Sequence, residues 1–275
     1  MFDRIIMSAD RSPKYFGFWQ IQVLAHKTFF PDVKLTLAVL KSPINKVESD
    51  GVYDRLVNML LDAGVDDVQL HAPAYGVPEE NQAKLLRYYA AAQWPQDVSI
   101  ICDIDTVPLT DKYIRGLAEV RIKDKLLAVG REVYLGTHDG KFPAHHIAGE
   151  GYLFELLYNT YGKTFAEVVG KCTPMSKYDH KEDVRNFPHC FSDESLNRAL
   201  IELNCVPMQH IERKIDIHKQ WIDRAWWDKL DTTHLNNDMY IEANLLRPFA
   251  ENRAHIQPII DFLESKNKWR YDGKT

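Results

Sequence analysis

Through the first 130 residues the apolar positions switch back and forth between two periods. Arg4 to Ala9 (RIIMSA) is a short apolar run closed by Asp10, the pattern of a buried strand. Ser12-Pro13 then offers a helix cap with proline at the first helical position. Phe16, Trp19, Val23 and His26-Lys27 follow at helical spacing, to about Phe30. Lys34 to Leu40 (KLTLAVL) predicts a second strand, Val52 to Ala63 an amphipathic helix stopped by Gly64, and Val68 to His71 a short third strand. Glu79 to Trp94 predicts a helix with acids in its first turn, ended by Pro95. Ser99 to Cys102 (SIIC) is apolar nearly throughout, as a central parallel strand covered on both faces should be. A helix over Asp111 to Val120 and a strand over Leu126 to Val129 continue the pattern.

After Gly130 the alternation breaks. Gly136 to His146 reads as loop or hairpin, Tyr152 to Tyr161 and Thr164 to Val169 as helical, and Cys172 to Cys190 as a long polar irregular stretch. Asp193 to Leu203 predicts a helix capped by Ser192, Val206 to Ile217 one or two strands, and Pro258 to Leu263 a final short helix. Strands alternating with helices of this length predict an α/β fold: a Rossmann-like, mostly parallel central sheet flanked by helices, with a smaller irregular α+β half on the same sheet. The two halves, 1–130 and 131–275, are expected to form one compact domain.

Composition narrows the function. The 275 residues are 45% hydrophobic and 27% charged, ordinary for a chain that buries a core. With 34 Lys+Arg against 39 Asp+Glu, the formal charge of -5 argues against a general grip on nucleic acid, which needs a basic face. No apolar run approaches the ~18 residues of a membrane span, and Met1 to Asp10 lacks the parts of a signal peptide. The four cysteines, Cys102, Cys172, Cys190 and Cys205, contain no C-x2-C pair and are too scattered for a disulfide framework. Cys102 reads as a small core residue, and a bridge among the other three stays open. The compartment reads as reducing cytoplasm, so the expectation is a soluble protein of bacterial or viral type with no integral membrane segment, or else a piece trimmed from an anchored one.

The chemistry concentrates where the SIIC strand runs into Asp103-Ile104-Asp105 and then Thr106-Val107-Pro108-Leu109. Two carboxylates at i and i+2 share a direction at a strand end. In an open α/β sheet, ligands bind beyond the carboxyl ends of the strands. Carboxylate oxygens suit hard dications, which bind alongside a diphosphate, so the pair can hold Mn2+ or Mg2+ against a nucleotide. The bland alternative is a surface turn carrying two acids. Farther on, Ile211 to Trp227 gathers Arg213, Lys214, Lys219 and Arg224 with Trp221, Trp226 and Trp227. Aromatic faces stack on sugar rings and basic groups neutralise a diphosphate, while tryptophans at helical spacing also serve as core anchors.

At IICDIDTVPL the chain resembles the GT-A glycosyltransferases, whose D-x-D closes a central strand after about one hundred residues of α/β fold. The resemblance in element order covers roughly Arg4 to Phe154. It implies Asp105 as the main metal ligand and Asp103 as donor contact or second ligand. It implies that Ser8, Ala9, Asp10 and Tyr15 cradle the nucleoside, and that Lys84 or Arg87 meets the donor, either of which otherwise serves as a solvated helix-face charge. FPAHHIAGEGYLF then leads into an acceptor pocket, with Gly149 and Gly151 admitting a sugar, or else punctuating a loop. Asp193-Glu194 supplies an acceptor contact or catalytic base, or simply complements a helix dipole. Where the family often has a metal-binding histidine this chain has Asn244, two residues after Glu242. The third ligand is then Asn244, one of His218, His234 and His255, or else water and diphosphate oxygens that complete the site. Trp221 and Arg224 fall on the acceptor side.

These implications add up to a metal-dependent glycosyltransferase moving a sugar from a UDP- or GDP-sugar to a glycan or other hydroxyl acceptor. Two alternatives stay beside it. D-I-D-T-V also matches the first motif of haloacid-dehalogenase-type phosphatases, which would make Asp103 the nucleophile. A nucleotide- or glycan-binding protein on the same scaffold, without turnover, is favoured only by the Asn at position 244.

Overall fold

The computed structural model describes residues 2–41, 50–120, 122–130, 145–176, 193–212 and 220–267. Strand β1 (Arg4–Ala9) shows how alternation builds the layers: Ile5, Met7 and Ala9 enter one core and Ile6 the other. With it come β2 (Lys34–Leu40), β3 (Asp67–His71), β4 (Val98–Ile101), β6 (Leu126–Val129), β7 (Ile147–Glu150) and β8 (Met208–Ile211). These seven form one sheet in the order β3-β2-β1-β4-β7-β6-β8. β3, β2, β1 and β4 are parallel neighbours, as are β6 and β8, while β7 runs antiparallel to both β4 and β6. The mostly parallel α/β architecture expected from the sequence is present.

Helix α1 (Trp19–Phe29) packs on the Ile5–Met7 face, together with the C-terminal helix over Phe249–Lys266. Helix α3 (Glu79–Ala92) and α5 (Gly151–Tyr158) cover the Ile6 face, with Leu85, Leu86, Tyr88, Phe154 and Leu157 fully buried there. The other helices are α2 (Asp50–Asp62), α4 (Lys112–Ala118), α6 (Phe165–Ser176), α7 (Asp193–Asn204) and α8 (Thr232–Asn236), so the helix over Phe249–Lys266 is α9. A second, small sheet pairs β5 (Thr106–Pro108), β10 (Glu242–Asn244) and β9 (Trp221–Ile222).

Three readings of the sequence change. Ser12 does not cap α1: the Asp10 carboxylate accepts from its N–H (3.1 Å) and hydroxyl (2.6 Å), a local turn that delays the α-helix to Trp19. Pro258 does not open the last helix but lies inside α9, which begins at Phe249. Interior proline costs about 3 kcal/mol, and the burial of Phe249, Ile256, Ile259, Ile260, Phe262 and Leu263 offsets it. The helix expected over Thr164 to Val169 continues to Ser176, inside the stretch read as irregular. Ser192 and Cys190 lie outside the described residues. Cys102, Cys172 and Cys205 are all free thiols, so Cys172 and Cys205 form no bridge with each other. No helix of the described residues is long and apolar enough to cross a membrane.

Candidate functional site

The strand order places a switch of winding beside β1: β2 and β3 extend the sheet to one side, and the next strand, β4, lies on the other. Such a point opens a crevice beyond the carboxyl ends of the two strands. Asp10 follows β1 there, and Asp103 and Asp105 follow β4. Cys102 N–H still bonds Ile6 O (2.9 Å) before the chain turns away, and Thr106 N–H closes the turn on Asp103 O (3.3 Å). Buried Ile104 anchors the turn in the core. Gln22, buried on α1, donates its amide to both Ile104 O (2.8 Å) and Thr106 O (2.9 Å). The backbone between the two acids is thus held from inside.

Each acid has its own partners. Buried Arg87, on α3, donates to Asp103, whose side chain remains 41% exposed. Burial would raise the Asp103 carboxyl, but the Arg87 guanidinium beside it outweighs that and holds it below the usual carboxylate range. Asp105 is nearly enclosed. Burial first, and then the charge of Asp103, push its carboxyl up to about 6 against the pull of Arg247. Its Oδ2 accepts from Arg224 Nη2 (3.0 Å) and lies 3.1 Å from Arg247 Nε. Arg224 Nη2 also donates to Asn244 Oδ1 (2.7 Å), which accepts from the Thr106 hydroxyl as well (3.1 Å). Arg247 donates to the Tyr15 hydroxyl and stacks over that ring at 4.9 Å, while the hydroxyl donates to Glu80 (3.2 Å).

The small sheet explains how distant residues arrive here. In the antiparallel β5–β10 register Asn244 faces Thr106 and Glu242 faces Pro108, and their i, i+2 spacing turns both to one side. Glu242 is 2% exposed and meets His145 Nε2 (3.3 Å) and His146 Nε2 (2.9 Å) through one oxygen. Successive side chains normally diverge, but His146 has a positive φ of 58°, and the two rings lie against each other, centroids 3.6 Å apart and planes tilted by 40°. Burial would raise the Glu242 carboxyl, and the two histidines hold it below its usual range instead.

The three ligand atoms lie within 4.8 Å of one another, a spacing a metal ion can use. The tautomer argues otherwise. His145 Nδ1 accepts from the Asp103 N–H (3.0 Å), so the neutral ring carries its proton on Nε2. That nitrogen then faces Glu242 as a donor and has no lone pair for an ion. The trio is a brace: Glu242 orients His145, and His145 holds the Asp103 amide.

Of the residues expected from sequence, Asp103, Asp105, Arg87, Tyr15, Arg224 and Asn244 come together at this crevice. Asp10 lies at its edge but spends its carboxylate on Ser12. Ser8 donates to Ala83 O (2.6 Å), and Ala9 is buried in the core. Lys84 is half-buried and acts electrostatically on Glu80. Gly149 and Gly151 lie at the other end of β4, where Gly149 pairs with Ser99. There Gly151 lets the backbone approach Trp94 and Ala91 closely, so packing within the fold uses that freedom. Trp221 is half-buried on β9, opposite Glu242 in register. Trp227 packs against the core and donates to His255 O (3.0 Å). His234 and His255 are exposed on helices. Asp193 and Glu194 open α7, but their side chains lie outside the described ones, as do Trp226 and residues 213–219, which include His218.

His145, His146, Arg247 and Gln22 were not singled out from sequence. A His-His pair before an apolar run was a visible signal, but the positive φ that turns both rings onto one acid was not.

No protein-family model matches the sequence, and no curated protein matches it. Among solved structures it is similar to the apo-form glycosyltransferase GlyE of Streptococcus pneumoniae TIGR4, at 12% identity over 76% of this chain and 45% of that one, with a TM-score of 0.44. A second structure of GlyE aligns over all of this chain and 66% of that one, at 9% identity and a TM-score of 0.46. The chain thus spans less than two thirds of either GlyE chain. It is also similar to the galactosyltransferase LgtC in complex with donor and acceptor sugar analogs, at 13% identity over 98% of each chain, with a TM-score of 0.45.

Proposed function

We propose that this chain is a glycosyltransferase that takes a nucleoside-diphosphate sugar, UDP- or GDP-linked, as donor and a glycan or other hydroxyl as acceptor. The observation that carries the reading is the D-x-D turn at the carboxyl end of β4, opening on the β1/β4 crevice. A phosphatase of the haloacid-dehalogenase type would carry its nucleophile after the first strand of the sheet, and here Asp103 follows the fourth. Residues 1–130 supply the donor side and 131–275 most of the acceptor side, with Arg224, Asn244 and Arg247 reaching back to the donor acids. Three free thiols support a reducing, cytoplasmic setting.

In the reaction, the bond from the anomeric carbon to the β-phosphate oxygen breaks with its electron pair on that oxygen. The acceptor oxygen bonds the carbon and gives up its proton, for which Asp193 or Glu194 is the sequence candidate. Tyr15 and Arg87 border the place where the donor enters.

Mn2+ or Mg2+ is the group the resemblance implies at the acids. Asp103, Asp105 and Asn244 are all oxygen donors of the kind such ions take. As the side chains stand, the set does not fit one: Asp105 Oδ2 and Asn244 Oδ1 already accept from guanidinium groups, and Arg87 holds Asp103.

A thermal-shift screen of UDP, GDP, CDP and ADP and their sugars, each with and without Mn2+, tests the reading. One nucleotide should raise the melting temperature, by the equivalent of about 2.7 kcal/mol at a hundred times its Kd. Release of nucleoside diphosphate from the matching sugar should follow. Binding without such release would favour the scaffold that has lost turnover, and no shift with any ligand would remove the reading.

A further inference from the structure

The acids expected to hold a metal are occupied by arginine, and the arrangement has more positive charge than those acids need. One guanidinium would neutralise Asp105, but two meet its Oδ2. Arg224 extends the same nitrogen to Asn244 and keeps its second amino nitrogen, Nη1, buried with no hydrogen-bond partner among the described residues. Such a donor is costly until an acceptor reaches it. Arg247 is oriented by the Tyr15 ring and hydroxyl. Both arginine side chains are about a quarter exposed (26% and 29%), so their charge borders the crevice rather than lying sealed in the core. The guanidinium fork suits two oxygens of a phosphate group, which a lone ammonium matches less well.

Resting on the glycosyltransferase reading, we propose that Arg224 and Arg247 supply the cationic part of the donor diphosphate site, in place of a divalent ion. Asp105 is then their counter-ion: it holds the two forks in position while the site is free. When the anomeric carbon–oxygen bond breaks, the electron pair stays on the β-phosphate oxygen, and the preorganised N–H donors take up that charge. The acceptor oxygen forms the new bond and passes its proton to a carboxylate or to water.

The test is calorimetric titration of the full chain, stripped with EDTA, with UDP, GDP, CDP and ADP in turn, in EDTA and in Mn2+. One nucleotide should bind in both conditions. Arg224→Ala and Arg247→Ala should each weaken it about tenfold or more, and the Arg→Lys variants should recover part of the loss. Circular dichroism on every variant separates lost binding from lost folding. Asp105→Asn removes the counter-ion that holds the two forks but leaves both guanidiniums, so metal-free binding should weaken and still be measurable. Binding that appears only with Mn2+ and vanishes in Asp105→Asn would overturn the proposal and leave the glycosyltransferase reading standing. Metal-free binding indifferent to both arginines would overturn it too. No binding of any nucleotide, with or without metal, would overturn the proposal and that reading together.

Discussion

His26 is 2% exposed on α1, and burial, with Lys27 adding to it, pushes its pKa down from 6.5 to about 4. The unfolded ring takes up a proton near its ordinary value, whereas the folded ring refuses it until about pH 4. Its contribution to stability is therefore complete above pH 6.5 and is lost as the pH falls from there through about 4. The most it can amount to is about 3 kcal/mol. Urea midpoints measured at about pH 7 and again near pH 4 should fall steeply for the native chain and less steeply for His26→Leu. An unchanged drop would assign the acid sensitivity elsewhere, and His71, lowered the same way by burial, is the next group to change. None of this was legible at residue scale in the sequence. His26 counted there only as a member of a helical pattern, and its desolvation depends on Phe30 and the β1 face, which the fold supplies.

Among the elements, the start of α5 tolerates the least change. A Cβ at Gly151 would fall on the Trp94 carbonyl oxygen and 2.7 Å from that of Ala91, both backbone atoms that cannot swing aside. Gly151→Ala should cost about 3 kcal/mol. Gly116, exposed in α4, has nothing within 4 Å of its Cβ position, so Gly116→Ala should gain about 0.5–1 kcal/mol. Denaturant unfolding of the two variants checks both signs, and equal effects would mean that the tight contact at Gly151 relaxes freely. Strands β1, β2, β3, β4 and β6 were legible because each is four to seven residues long, enough for an apolar run or an alternation to show. Strands β5, β9 and β10 have two or three residues each and left none. They exist because they find each other, and they bring Glu242, Asn244 and Arg224 to the acids.

On the scale of the whole molecule, the large sheet ignores the break at residue 130. Strand β7, from the second half, lies between β4 and β6 of the first, and β8 adds to the far edge. The two halves should therefore unfold together, with far-ultraviolet circular dichroism and tryptophan fluorescence tracing one urea transition. Two separated transitions would mean that each half is stable alone.

By itself the sequence determined the α/β class, most of the large sheet's strands and the D-x-D acids, because strand and helix periods are local and the Asp pair sits directly on the end of a readable strand. The tertiary structure alone decided what those acids meet. Arg87, His145, Arg224, Asn244 and Arg247 are 16 to about 140 positions away from the acids they serve, and their convergence depends on strand order, on β10 pairing with β5 and on one positive φ at His146. Such contacts are non-local, and local pattern carries no record of them.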